Sequence, residues 1–284
     1  MSASKQRQRT LTALLIAPLM VAAVLWLSAV HLALCLGLIL IPAAWEWSAM
    51  TGIATRAGRL AYVAAVVLCL FVLWQPPLRQ WYVHMIAAAA VFWGIVAFLL
   101  FRLRTVERKS GPDTMLATAG LVVLIGPWLA IVHLHAHSPA GPSWVLFLLV
   151  LIWAADTLAY FTGCRWGRKK LAPLLSPGKT RVGVYGALTG AGLCGVLEGW
   201  SMGLPPGYAV LLVALCVLAT LVSMIGDLFE SLVKRSRDLK DSGQLLPGHG
   251  GVLDRIDSLA AAAPLFTLGI LWLDTQLMIL SNGS

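Results

Sequence analysis

Residues 231–257 bring four acidic and five basic side chains, and a cluster of glycines around one histidine, into a chain that is otherwise 59% apolar. Carboxylates that can hold a divalent cation, cations that can hold phosphates, and glycines that bare backbone N–H groups occur together there. That set suits phosphate chemistry better than it suits a structural loop. Just upstream, Ser223, Asp227, Ser231 and Lys234 recur at i, i+4, i+8 and i+11 and share one helical face, with Glu230 and Arg235 at its edges. An ionisable residue inside a membrane helix is costly unless it is paired or faces water. Asp227 therefore reads either as a bridge to Lys234 or as a ligand-holding carboxylate. Asp254 and Asp257 stand three apart at the entry to the last helix. There they complement the helix dipole or, with Asp227, bracket Mg²⁺. Gly243, Gly248, Gly250 and Gly251 around His249 make either a nest for an anion or a tight turn with a structural histidine.

A second polar cluster covers residues 156–181. Asp156 lies near the inner end of an apolar segment, with Tyr160 one turn later. Arg165, Arg168, Lys169 and Lys170 read as loop charges or as phosphate contacts. Ser176-Pro-Gly-Lys179-Thr180 supplies a turn, two hydroxyls and an ammonium in five residues, a phosphate cradle without the Walker signature.

These clusters need elements to position them, and composition says what kind. Only 12% of the 284 residues are charged, against about 25% in soluble domains. Apolar stretches near the ~20 residues that cross a bilayer recur along the whole length. Nine helices are predicted, at roughly 11–29, 31–50, 60–74, 81–101, 114–134, 143–162, 183–203, 207–233 and 258–280. The first reads as an uncleaved span after the basic start Lys5-Gln-Arg7-Gln-Arg9. With the N-terminus inside and nine crossings, all but Arg79 of the 21 Lys and Arg residues fall on the inner side. The formal charge of +9 is thus a record of topology and not a nucleic-acid signal. The predicted fold is an all-α polytopic membrane protein, N-terminus cytoplasmic and C-terminus outside.

Charge also divides the chain by task. Glu46, Glu107 and Asp113 are the only acidic residues before residue 150, and nine follow from Asp156 onward. Residues 1–142 read as a scaffold of about five helices. Residues 143–284 read as a catalytic region of about four, with cytoplasmic loops at 163–182 and 234–257. The five cysteines are dispersed and read as small core hydrophobes. His133, His135 and His137 read as an outside loop without nearby carboxylates, and Glu198 as either cavity-lining or outer-surface. The 12 tryptophans read as interfacial belts.

The stretch 231–257 resembles the signature of the phosphatidate cytidylyltransferases. The matching residues are Ser231, Lys234-Arg235, Lys240-Asp241, Gly243, Leu246-Pro247, His249-Gly250-Gly251, Asp254-Arg255 and Asp257. Gly226-Asp227-Leu228 with Glu230, Asp156-Thr157, Tyr160-Phe161, Gly163, Leu171-Ala-Pro173 and Ser176-Pro177 with Lys179-Thr180 are similar to the family too. The resemblance implies that CTP and phosphatidate give CDP-diacylglycerol and pyrophosphate, with one Mg²⁺ or two. It implies a catalytic set of Asp227, Lys234, Lys240, His249 and Asp254, with Asp227, Asp254 and Asp257 on the metal. Lys179, Thr180, Ser231, Arg235, Asp241, Gly250, Gly251, Arg255 and Asp156 would bind substrate. The resemblance also implies a homodimer; the topology, with CTP in the cytosol, predicts a site in the cytoplasmic (inner) membrane that faces the cytoplasm. Val182 departs from the pattern, since glutamate is usual there. The alternatives are a related CTP-dependent transferase or kinase acting on another lipid, or a weakly active or inactive paralogue. A transporter is disfavoured because no inverted repeat occurs and the polar residues gather at one face.

Overall fold

The computed structural model describes residues 3–245 and 250–283, and within them side chains over residues 15–245 and 250–279. Leu246, Pro247, Gly248 and His249 lie outside the described residues. Among the described residues there are nine α-helices: α1 (Ala3–Trp26), α2 (Ala29–Met50), α3 (Arg56–Leu73), α4 (Tyr82–Arg102), α5 (Thr114–His137), α6 (Gly141–Trp166), α7 (Arg181–Ser201), α8 (Pro206–Ser236) and α9 (Leu253–Gly283). They match the predicted helices one for one. Eight have the length and hydropathy to cross a bilayer, and α1 adds the apolar segment Leu15–Trp26.

Local chemistry sets the helix starts. Thr55, Asp113 and Thr180 accept the N–H of Gly58, Leu116 and Gly183 at 3.1, 2.9 and 3.1 Å, satisfying donors that the first turn leaves free. The Lys109 ammonium, 2.6 Å from Asp113, and the Leu116 N–H hold the Asp113 carboxyl below its ordinary range. Pro142 and Pro206 open α6 and α8, where a missing N–H costs nothing.

The helices differ sharply in how they face their surroundings. In α5, 61% of the apolar window is buried; in α3 the figure is 11%. Leu60, Leu68 and Phe71 of α3 are exposed, as are Leu34 and Leu38 of α2 and Val91 and Phe98 of α4. An apolar surface this continuous is stable against lipid and not against water. The protein is an all-α polytopic membrane protein. One hydrophobic core runs from Val24 on α1 to Leu273 on α9, so the predicted scaffold and catalytic regions share it.

Helix α7 shows how glycine lets helices approach in a bilayer. A Cβ at Gly183 would stand 2.9 Å from the Ala159 carbonyl of α6, and one at Gly195 2.8 Å from Val213 Cα of α8. Between α6 and α7, where a turn is predicted, lies the antiparallel hairpin β1 (Lys170–Ala172) and β2 (Ser176–Thr180). It pairs Lys170 with Thr180 and Ala172 with Ser176, with an irregularity between.

The predicted outside loop of histidines is corrected. Helix α5 runs through His137, which stacks 6.2 Å from His133 and lies 3.7 Å from the carboxylate of Asp274. A carboxylate is therefore near, and the i, i+4 spacing of His133 and His137 is helical. His135 faces the other way and is hydrogen-bonded through Nε2 to the Val24 carbonyl at 2.9 Å.

Candidate active site

Two segments of chain converge on the C-terminal end of α8. On one side, β2 alternates: Thr180 is buried against Gly163 and Gly167, so Lys179 is turned the opposite way. The Lys179 Nζ lies 2.5 Å from Asp227 Oδ2. Ser231, one turn further along α8, lies 3.4 Å from Asp227 Oδ1. Asp227 thus pairs with the hairpin and not with Lys234, the partner its own helix offered.

On the other side, Lys234 Nζ donates to Asp254 Oδ1 at 2.5 Å and lies 3.2 Å from Glu230 Oε1. Asp254 Oδ2 accepts the Ser242 N–H and hydroxyl, each at 3.0 Å, and the Gly251 N–H at 2.9 Å. Gly250 has φ +82°, and a Cβ there would meet Asp254 Oδ2 at 2.7 Å. Only glycine meets both conditions. The N–H of Gly251 is therefore given to the protein's own carboxylate. Asp257 follows one turn along α9 and accepts from the Ser258 N–H at 2.7 Å.

Between these sides opens a polar cavity of about 370 Å³. Asp156, Asp227, Asp254 and Asp257 line it together with Lys234, Arg235, Lys240 and Arg255, and Ser176, Ser231 and Asp241 lie on the same wall. A second cleft of about 570 Å³, mostly apolar, lies between α6, α7 and the hairpin. Tyr160, Val184 and Met224 line it alongside Lys170, Lys179 and Thr180. Asp156, Ser176 and Asp227 belong to both walls, so the two spaces adjoin at the Lys179–Asp227 pair.

Most of the predicted site residues are brought together in this way. Arg235 is held by the Leu175 and Leu239 carbonyls at 3.4 and 3.0 Å, tying the hairpin loop to the end of α8. His249, predicted to orient phosphates, lies outside the described residues. Val182 lines neither cavity; its carbonyl is 3.5 Å from the Thr162 hydroxyl. Glu198 lies near the far end of α7, about 27 Å along the helix from Thr180 at 1.5 Å per residue. One residue was missed: Glu46 of α2, 5% exposed, accepts the Val252 and Leu253 N–H groups at 3.1 and 2.9 Å and the Ser242 hydroxyl at 3.2 Å. Its only signal was a carboxylate in an apolar helix.

Among the described residues no three His, Cys, Asp or Glu side chains gather at ligating distance. Mg²⁺ does not require such a cage, since it takes one or two carboxylates and completes its shell with water and phosphate oxygens. Asp227, Asp254 and Asp257 line one cavity and supply only hard oxygen donors, so the residues present fit that ion.

The chain matches a model of the cytidylyltransferase family over residues 7–272. It is 38% identical to a phosphatidate cytidylyltransferase of Pseudomonas aeruginosa over 266 residues, 94% of this chain and 97% of that protein. A phosphatidate cytidylyltransferase of Haemophilus influenzae is 31% identical over 281 residues, 92% of this chain and 97% of the other. One from Brucella abortus is 46% identical over 140 residues, about half of each chain. A polytopic helical bundle, a cavity of paired carboxylates and cations, and a match over nearly its full length agree: the chain belongs to the cytidylyltransferase family.

Proposed function

We propose that this protein transfers the cytidylyl group of CTP to phosphatidate, giving CDP-diacylglycerol and pyrophosphate. The observation that carries the reading is the meeting of a polar cavity and an apolar cleft at Asp156, Ser176 and Asp227. A nucleotide triphosphate suits the first and a lipid phosphate the second. Their reacting atoms then meet beside Lys179, within reach of Lys234.

A phosphatidate oxygen attacks the α-phosphorus of CTP, and the bond from that phosphorus to the bridging oxygen breaks. The electron pair leaves on pyrophosphate. The attacking oxygen is already anionic at neutral pH, so no strong base is needed. The work lies in holding two polyanions together and meeting the charge of the in-line transition state. Lys179 and Lys234 each neutralise one carboxylate in the free protein. On binding, Lys179 turns from Asp227 to phosphate oxygens, while Lys234 stays on Asp254 and adds its positive charge to the cavity wall beside Arg235, Lys240 and Arg255. Asp227, Asp254 and Asp257 would hold Mg²⁺, which when bound supplies positive charge to the phosphates. The site faces the cytoplasm in this reading, where CTP is available and where the basic loops gather under the positive-inside rule. We also propose an inner-membrane homodimer, on the family resemblance.

Purified protein with labelled CTP, Mg²⁺ and a panel of lipid acceptors tests this. CDP-lipid plus pyrophosphate with phosphatidate is the expected result. CDP plus a phosphorylated lipid would mean kinase chemistry, and no CTP consumption with any acceptor would end the proposal.

A further inference from the structure

Glu46 sits on α2, far in sequence from the polar clusters, yet its carboxylate reaches the base of the site. Its oxygens accept the N–H groups of Val252 and Leu253. These are among the donors that the start of α9 cannot satisfy within itself. A negative charge there also complements the dipole of α9. A residue of the second helix thus caps the ninth.

The Ser242 hydroxyl connects this cap to the catalytic carboxylate. It lies 3.2 Å from Glu46 Oε2 and 3.0 Å from Asp254 Oδ2. A hydroxyl has one hydrogen, so it serves one carboxylate at a time and holds the two in a fixed relation. There is no slack around it: a Cβ at Gly243 or Gly251 would collide with the Glu46 carboxylate. The other end of the arrangement is fixed as well. Arg237, at the end of α8, donates to the carbonyls of Met50 and Thr51 at the end of α2, both at 3.0 Å. Helix α2 is therefore a common reference for α8 and α9, which carry Asp227 and Asp254.

Stability alone is a weak reason for this design, because an apolar contact between helices serves as well as a buried charge. What the carboxylate adds is direction, since it fixes N–H groups and one hydroxyl beside Asp254.

We propose that Glu46 is a positioning residue that sets the place of Asp254 in the site. The proposal rests on cytidylyl transfer at this site. Its test is a double-mutant cycle on the full-length protein, with CTP and phosphatidate as substrates. Glu46→Gln is expected to lower kcat by about 10²-fold and to change KM for CTP by less than about twofold. Asp254→Asn is expected to lose at least as much. If Glu46 acts through Asp254, adding Glu46→Gln to Asp254→Asn costs less than about threefold more. Losses that multiply would overturn the proposal, as would wild-type kcat in Glu46→Gln. Should Glu46→Gln fail to accumulate, Ser242→Ala takes its place in the same cycle, with a loss of about tenfold expected and the same two outcomes deciding. Wild-type protein inactive with both substrates would instead strike at the proposed function, so the two failures are separable.

Discussion

Asp227 and Asp254 each hold a lysine at 2.5 Å, but their surroundings differ. Asp254 takes three further hydrogen bonds from Ser242 and Gly251, and its side chain is 9% exposed. Its lysine comes from the rigid helix α8 and is shared with Glu230. Among the described residues Asp227 has only a long contact from Ser231 besides Lys179, and its side chain is 32% exposed. Its lysine comes from a two-stranded hairpin, an element that is marginally stable by itself. One carboxylate is over-determined and the other loosely held. The first acts as a fixed reference, and the second can exchange partners when a substrate arrives at the join of the two cavities.

Substitutions test that contrast directly. Asp254→Asn should lower the rate by at least about 10²-fold and also destabilise the protein by about 3 kcal/mol, because it breaks a largely buried pair. Asp227→Asn should lower the rate by a similar factor at a stability cost under about 1 kcal/mol, as for a partly exposed pair. Rates and thermal unfolding measured on the same two preparations check both; equal destabilisation would erase the contrast. Lys179→Ala should raise KM for both substrates and lower the rate by about tenfold, leaving stability within about 1 kcal/mol. The smallest effect belongs to Val182→Glu, at the first turn of α7 and outside both cavities. It should stabilise by about 0.3–1 kcal/mol through the helix dipole and leave activity within about twofold. A large gain in activity would return that position to the site.

The helices were legible because a bilayer demands long apolar runs, and few other signals in a sequence are so simple. The polar clusters were legible because charge is rare in this chain, so Asp227, Lys234, Asp254 and Lys179 stood out. The pairing among them was not. Helical spacing pointed Asp227 to Lys234, whereas the cavity brings in Lys179 from an element with no hydrophobic pattern. That hairpin carries Pro173 and Pro177, residues that argue against a strand. The histidines at 133–137 do not form the predicted loop: Ser138, Pro139 and Gly141 suggest one, but α5 continues to His137 before it meets them. Glu46 was invisible for a further reason. Its partners lie roughly 200 residues away, and a single sequence carries no trace of a contact at that distance.

The contacts that Glu46 and Arg237 make between the end of α2 and the last two helices have a consequence for how the protein is made. A membrane chain leaves the ribosome from its N-terminus, and α2 enters the bilayer long before α8 and α9 exist. During that interval Glu46 is a carboxylate in an apolar helix with no partner, which a bilayer tolerates poorly. Glu46 acquires its backbone partners only when the chain reaches Val252 and Leu253. A chain cut short before residue 252 would lack both of those N–H groups.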